Sequence, residues 1–134
     1  MKSTLIDSNV LIDLFDEESA WQSWSDSMIA ACRNRGPILI NPVILAEVSM
    51  GFESYEAVNE HLPEHFIVRE PLPWEAAFLA ARAFLLYRHA GGERRSPLPD
   101  FYIGAHAAVA GHTLLTRDPR RYRHYFPKLR IISP

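Results

Sequence analysis

The run Ile38-Leu39-Ile40 is apolar without a break. A strand with one wet face alternates apolar and polar residues, so an uninterrupted run suits a strand covered on both sides. Short runs of this kind alternate along the chain with longer helical patterns. That alternation predicts an α/β domain whose sheet is mostly parallel, with helices packed on its faces.

The same reading places the elements. Ser3 to Ile6 is the first strand, and Asp7-Ser8-Asn9 supplies capping side chains for a helix through Val10-Leu11-Ile12, Leu14 and Phe15. Trp21, Trp24, Met28 and Ala31 recur at helical spacing and predict one apolar face on a helix over Ala20 to Arg33, ended by Gly36-Pro37. Asn41-Pro42 after the second strand is a cap with a first-turn proline, and it opens a helix that contains Glu47. A short helix over Tyr55 to His61, a third strand over Phe66 to Val68 and a long helix from Pro73 to about His89 follow. Gly91-Gly92 closes that helix, and the polar stretch Glu93 to Pro99 delivers Asp100 to an Ala-rich helix ending near Gly111. Thr113 to Thr116 is a strand, Asp118-Pro119 has the form of a cap and first-turn proline, and Arg130-Ile131-Ile132 is a last strand. No repeat or linker interrupts residues 1–134, which reads as a single domain.

Composition excludes several classes. The apolar stretches near Phe78 to Tyr87 and Phe101 to Ala110 are broken by Arg82, Gly104 and His106, short of the ~20 residues a membrane span needs. The apolar run before Asp7 is too short for a secretory signal core, so the cytoplasm is the expected location. A single cysteine, Cys32, forms no internal disulfide and reads as a small buried hydrophobe. The net charge of -2 conceals a split: residues 1–93 carry 14 acidic and 6 basic side chains, residues 94–134 carry 2 and 8. A basic stripe beside acids suits a polyanion approaching bound metal, although a solvated helical face would look the same.

Asp7, Asp100 and Asp118 stand where elements change, and Glu47 lies about two helical turns after a buried strand. In a parallel sheet the strands' carboxyl ends share an edge, so these distant acids are expected in one crevice. Any single Asp at a helix start is also explained as a cap worth ~1 kcal/mol. Together, converging carboxylates would raise each other's pKa unless a cation neutralised them, and an oxygen donor set points to Mg²⁺ or Mn²⁺ rather than zinc. His61 and His65 are four apart, but Pro63 intervenes and no Glu follows His61, so they read as surface histidines and no convincing His pair remains. Phosphate-binding glycine loops and the G-x-S-x-G turn of serine hydrolases are absent.

With these residues placed, the chain resembles the PIN-domain ribonucleases, specifically VapC-type toxins of type II toxin-antitoxin modules. The likeness rests on L-I-D-S-N-V-L-I-D-L-F at residues 5–15, L-A-E-V at 45–48, L-P-D-F-Y-I-G-A-H-A at 98–107 and L-L-T-R-D at 114–118. It implies a sheet of about four to five short strands in the order 3-2-1-4-5, over a PIN domain spanning residues 1–134. It implies that Asp7, Glu47, Asp100 and Asp118 hold Mg²⁺ or Mn²⁺, with Asn9, Thr116 and Ser8 orienting them. The implied reaction is RNA phosphodiester hydrolysis by a metal-activated water, leaving 5′-phosphate and 3′-hydroxyl ends. A VapB-type antitoxin that blocks the site and a homodimeric state are implied in the same way. Arg94, Arg95, Arg117, Arg120 and Arg121 flank the acids in sequence and are candidate phosphate contacts; solvated arginines on a short helix are the plain alternative.

The rival functions are a PIN-like module that binds RNA or protein without cutting, and a phosphoryl-transfer or receiver domain using Asp7 as nucleophile. An intact set of acids argues against the first. Asn9, where a phosphatase would want a second Asp, and Thr116-Arg117, where a receiver would want a lysine, argue against the second.

Overall fold

The computed structural model describes residues 2–92 and 98–134. Its elements in chain order are β1 (Thr4–Ile6), α1 (Ser8–Leu14), α2 (Gln22–Arg35), β2 (Ile38–Ile40), α3 (Pro42–Ser49), α4 (Tyr55–His61), β3 (Val68–Arg69), α5 (Trp74–His89), α6 (Pro99–Ala110), β4 (Thr113–Leu115), α7 (Arg120–Tyr125) and β5 (Ile131–Ile132). The strands form one sheet in the order β3-β2-β1-β4-β5, and every pairing is parallel. The expected α/β class and strand order are therefore both observed.

Register follows from burial. Leu5 pairs with Leu39 and Leu114 across the centre of the sheet, and β1, β2 and β4 are buried at every residue. Slipping one strand by a residue would force the neighbouring polar residue, Asp7 or Asn41, into these positions. Each buried Leu or Ile contributes roughly 1.5–3 kcal/mol over its exposed state.

Caps set where the helices begin. Asp7 accepts the Ser8 N–H at 2.8 Å, Asn41 Oδ1 accepts the Ile44 N–H at 2.9 Å above Pro42, and Ser54 accepts the Ala57 N–H at 3.1 Å. Gly111 ends α6 in the left-handed region at φ 74°.

Three local expectations differ from the structure. The α2 stripe facing the core is Ser25, Ile29 and Cys32, while Trp21 and Ala31 are exposed and Trp24 and Met28 lie half-buried at its margin. The buried face lies one residue further along than the aromatic spacing predicts, a rotation of ~100° about the helix axis, which leaves Trp24 and Met28 packed at the margin of the core. The third strand begins at Val68, not Phe66, because the Phe66 and Ile67 amides turn back to the Pro63 carbonyl. The last helix begins at Arg120 with Pro119 at its cap position and no side-chain cap. Asp118 does not cap it: its carboxylate is largely exposed and turns toward the Arg120 side chain, and it accepts no backbone N–H of the helix.

One glycine is demanded by packing. A Cβ on Gly104 would lie 2.5 Å from the Phe126 ring and 3.0 Å from Tyr122, so its absence lets α7 seat directly on α6.

Candidate active site

Asp7 follows β1 and Thr116 follows β4, and these two strands are neighbours in the parallel sheet. The Asp7 side chain is almost fully buried, at 3% exposure. Its Oδ2 accepts from the Thr116 hydroxyl at 2.8 Å and from the Tyr122 hydroxyl at 2.9 Å. Tyr122 Oη is also 3.3 Å from Asp100 Oδ1, so one phenol stands between two carboxylates. On the other side the Ser8 hydroxyl donates to Glu47 Oε1 at 2.9 Å and lies 3.4 Å from Asp7 Oδ1. Thr116 Oγ accepts the Asp118 N–H and lies 3.3 Å from Asn9 Nδ2, while Asn9 Oδ1 accepts the Arg117 N–H at 3.1 Å.

The structure thus links Asp7, Glu47 and Asp100 through single hydroxyl groups, and brings Asp118 to the same cluster through its backbone. Ser8 connects Asp7 to Glu47, Tyr122 connects it to Asp100, and Thr116, braced by Asn9, connects it to the Asp118 N–H. The Asp118 side chain is 68% exposed and reaches only Arg120, at 3.8 Å.

Electrostatically the cluster is unbalanced. Burial pushes the Asp7 carboxyl up from 3.8 to about 6, the Asp100 charge adds to this, and the hydrogen bonds from Thr116, Tyr122 and Ser8 oppose it. Burial, then the Asp7 and Asp100 charges, hold the Tyr122 phenol well above its ordinary value, so it serves as a neutral donor. Among the described residues, every hydrogen-bond donor to Asp7 is uncharged.

The arginines occupy different places. Arg121 Nη1 pairs with Asp100 Oδ2 at 3.1 Å and lies over the Tyr87 and Phe101 rings. Arg120 is 92% exposed beside Asp118. Arg117 is engaged elsewhere: its Nε and Nη2 hold the buried Asp13 carboxylate at 2.6 and 3.2 Å, and its guanidinium stacks on Trp21. Arg94 and Arg95 lie outside the described residues. A polar pocket of about 500 Å³, lined by Asp100, Asp118, Arg120, Arg121 and His124 among others, opens on one side. Near Glu47 a groove of about 620 Å³ is lined by Ile12, Phe15, Phe52 and Val48, with Asp16 and Glu17 also on its wall.

Sequence reading missed two features. Tyr122 gave no sign of a buried role among the arginines of α7; its four-residue spacing from Asp118 was the only available clue. The second is a pairing of histidines. His61 and His65 are exposed, as expected, but His106 and His112 both reach Glu70, and one ligand atom from each of the three lies within 4.8 Å of the others. The expectation that the chain holds no convincing His pair is therefore corrected: a helix carries His106 and the residue just before β4 is His112, both reaching the same carboxylate, which no sequence spacing advertises.

The PIN domain family matches residues 4–127. No curated protein sequence matches the chain. Among solved structures, VapBC2 from Rickettsia felis bound to a promoter DNA fragment superposes with TM-score 0.72 at 15% identity, covering 98% of both chains. VapBC-1 from nontypeable Haemophilus influenzae gives 0.72 at 15% identity over 98% of this chain and 97% of that one. A toxin-antitoxin complex from Klebsiella pneumoniae gives 0.67 at 22% identity over 98% and 97%. At such identities these likenesses speak for the fold, whereas the family match covers most of the sequence itself. On that match, the chain belongs to the PIN-domain family.

Proposed function

We propose that this PIN domain is a VapC-type toxin, a Mg²⁺- or Mn²⁺-dependent endoribonuclease restrained by a VapB-type antitoxin. The observation that carries the reading is the state of Asp7: a buried carboxylate beside Asp100, with only neutral donors and a pKa raised to about 6. A carboxylate so placed lacks the positive charge that would stabilise its ionised form, and a divalent cation supplies it. The donor set is carboxylate oxygen throughout, which fits a hard cation. Asp7, Asp100 and Asp118 are the proposed ligands, with Glu47 placing water or a second ion.

When bound, the cation lowers the pKa of water and offsets charge on the phosphoryl oxygens. The side chains then have distinct tasks. Thr116 and Tyr122 fix the direction of Asp7 Oδ2, and Ser8 fixes Glu47 relative to Asp7. Arg120 and Arg121 border the pocket beside Asp100 and Asp118 and are placed to meet the phosphates of an approaching strand. Water adds to phosphorus as the P–O3′ bond breaks; the 3′ oxygen leaves as hydroxyl and the phosphate stays on the 5′ end.

The antitoxin partner is supported by the fold neighbours, which are toxin-antitoxin complexes. A homodimer in the cytoplasm completes the proposal; no described helix is long and apolar enough to cross a membrane. The test is cleavage of end-labelled structured RNAs by antitoxin-free protein, with Mg²⁺ or Mn²⁺ against EDTA, for wild type and an Asp7→Asn/Asp100→Asn variant. Metal-dependent cutting lost in the variant supports the reading. Binding of RNA without cutting by either protein would turn it toward a non-catalytic module.

A further inference from the structure

The histidine cluster has an internal logic that the acid cluster lacks. Asn41 Oδ1 is committed to the Ile44 N–H at the start of α3. Its Nδ2 therefore faces His106 Nδ1, 3.0 Å away, and an amide nitrogen has only hydrogen to offer. His106 Nδ1 must accept, so in the neutral ring the proton sits on Nε2 and is donated to Glu70 Oε1 at 2.8 Å. His112 Nε2 donates to the same oxygen at 2.7 Å, while its Nδ1 bonds the Ser3 hydroxyl. Burial pushes the Glu70 carboxyl up, but the hydrogen bonds from His112 and His106 outweigh it and hold the pKa below its ordinary value.

The proton order also decides what the cluster is not. A cation on His106 would need the Nε2 lone pair and a proton on Nδ1. That proton would point at the Asn41 amide hydrogens, and turning the amide would remove the cap of α3. The three residues are close enough to suggest a metal, yet their tautomer is set against one.

What the chain of bonds does is mechanical. Ser3 precedes β1, which ends at Asp7; Asn41 caps α3, which carries Glu47; His106 is on α6, which carries Asp100; His112 precedes β4, which leads to Thr116 and Asp118. His106 is fully buried and His112 nearly so, which shields the imidazole ends of these bonds, while the Glu70 carboxylate they share is partly open to solvent. We propose that Asn41, Glu70, His106 and His112 form a proton-ordered tether that positions α3 and α6, and through them Glu47 and Asp100, relative to Asp7. These are positioning residues, and the inference rests on the reading of the acids as a metal centre.

Two measurements test it. Mn²⁺ affinity and thermal midpoint are compared for wild type, Glu70→Ala, Glu70→Gln and Val58→Ala, the last a buried α4 residue outside both clusters. Glu70→Ala is expected to lose about tenfold in affinity. Glu70→Gln, which keeps an oxygen able to accept both N–H bonds, is expected to recover most of that loss. Val58→Ala should lower the thermal midpoint with unchanged affinity. A folded Glu70→Ala protein with wild-type affinity would overturn the tether. Nitrogen-15 shifts of the imidazoles are the second readout: His106 is expected as the neutral Nε2–H tautomer, unmoved by Zn²⁺. The opposite tautomer, or a Zn²⁺-induced shift in His106, overturns the proposal whatever Mn²⁺ does. Failure of the wild type to bind Mn²⁺ would instead overturn the metal-centre reading, and with it the function assigned to the tether.

Discussion

Asp7 and Glu70 are both carboxylates built into the interior edge of the domain, and the protein treats them in opposite ways. Asp7 is buried among neutral donors next to Asp100, and its pKa is raised to about 6. Glu70 is partly open to solvent, receives N–H bonds from His106 and His112, and its pKa is lowered. A satisfied carboxylate needs nothing further and serves as structure. One buried among neutral donors beside a second carboxylate is costly in its ionised form however many hydrogen bonds it accepts, and it becomes favourable only when positive charge arrives, which is the behaviour expected of a cation site.

The sharpest way to break the contrast is Asp7→Asn. It should abolish metal-dependent RNA cleavage, by roughly a thousandfold or more if the metal is lost with the ligand, while leaving the metal-free protein as stable or more so. The sign follows from the raised pKa. Between 3.8 and about 6 the folded state binds the Asp7 proton more tightly than the unfolded chain, so this residue's contribution falls as pH rises through that window and stays flat above it. The difference corresponds to about 3 kcal/mol. Denaturant unfolding of wild type at pH 4.5 and 7.5, with and without Mn²⁺, should show the loss and its reversal by metal; Asp7→Asn should flatten the profile.

Gly104→Ala sharpens the comparison by disturbing one side only. Its Cβ would overlap the Phe126 ring and press on Tyr122. A loss of about 1–3 kcal/mol in unfolding free energy is expected, together with weaker metal binding, whereas the His106 imidazole resonances should stay in place.

Tyr122→Phe removes the one hydroxyl shared by Asp7 and Asp100. The expected outcome is about tenfold slower cleavage at saturating RNA, with a stability change of about 1 kcal/mol, read by single-turnover kinetics and thermal melts. The smallest effect belongs to the arginines. Replacing Arg120 and Arg121 by Ala should weaken RNA binding and flatten its salt dependence by about one unit of slope for each phosphate that is no longer neutralised. Mn²⁺ affinity should change less than RNA affinity; unchanged RNA affinity at low salt would remove these side chains from the interface.

The legibility of the molecule in its sequence was uneven for a physical reason. Local chemistry is written locally: Asp7-Ser8 and Asn41-Pro42 announce helix starts because a cap acts within three residues, and the uninterrupted Ile38-Leu39-Ile40 announces a doubly covered strand. Boundaries failed where a distant or neighbouring bond competed. Phe66 and Ile67 look like strand but spend their amides on Pro63, and Asp118 looks like a cap but sits one residue too early, with Pro119 at the cap position and its own carboxylate turned toward Arg120.

The sequence by itself determined the α/β class, the order of elements and the four acids, three at element ends and Glu47 within a helix, because periodicity and capping are properties of adjacent residues. Tertiary structure decided which donors reach those acids. Tyr122 lies 115 residues from the Asp7 it bonds, and His106 and His112 lie 36 and 42 residues from Glu70. It also decided the direction in which each carboxyl is pushed, since the depth of burial and the neighbouring groups, Asp100 for one and two histidines for the other, separate Asp7 from Glu70. Those quantities exist only once the strands have paired and α6 and α7 have packed against each other.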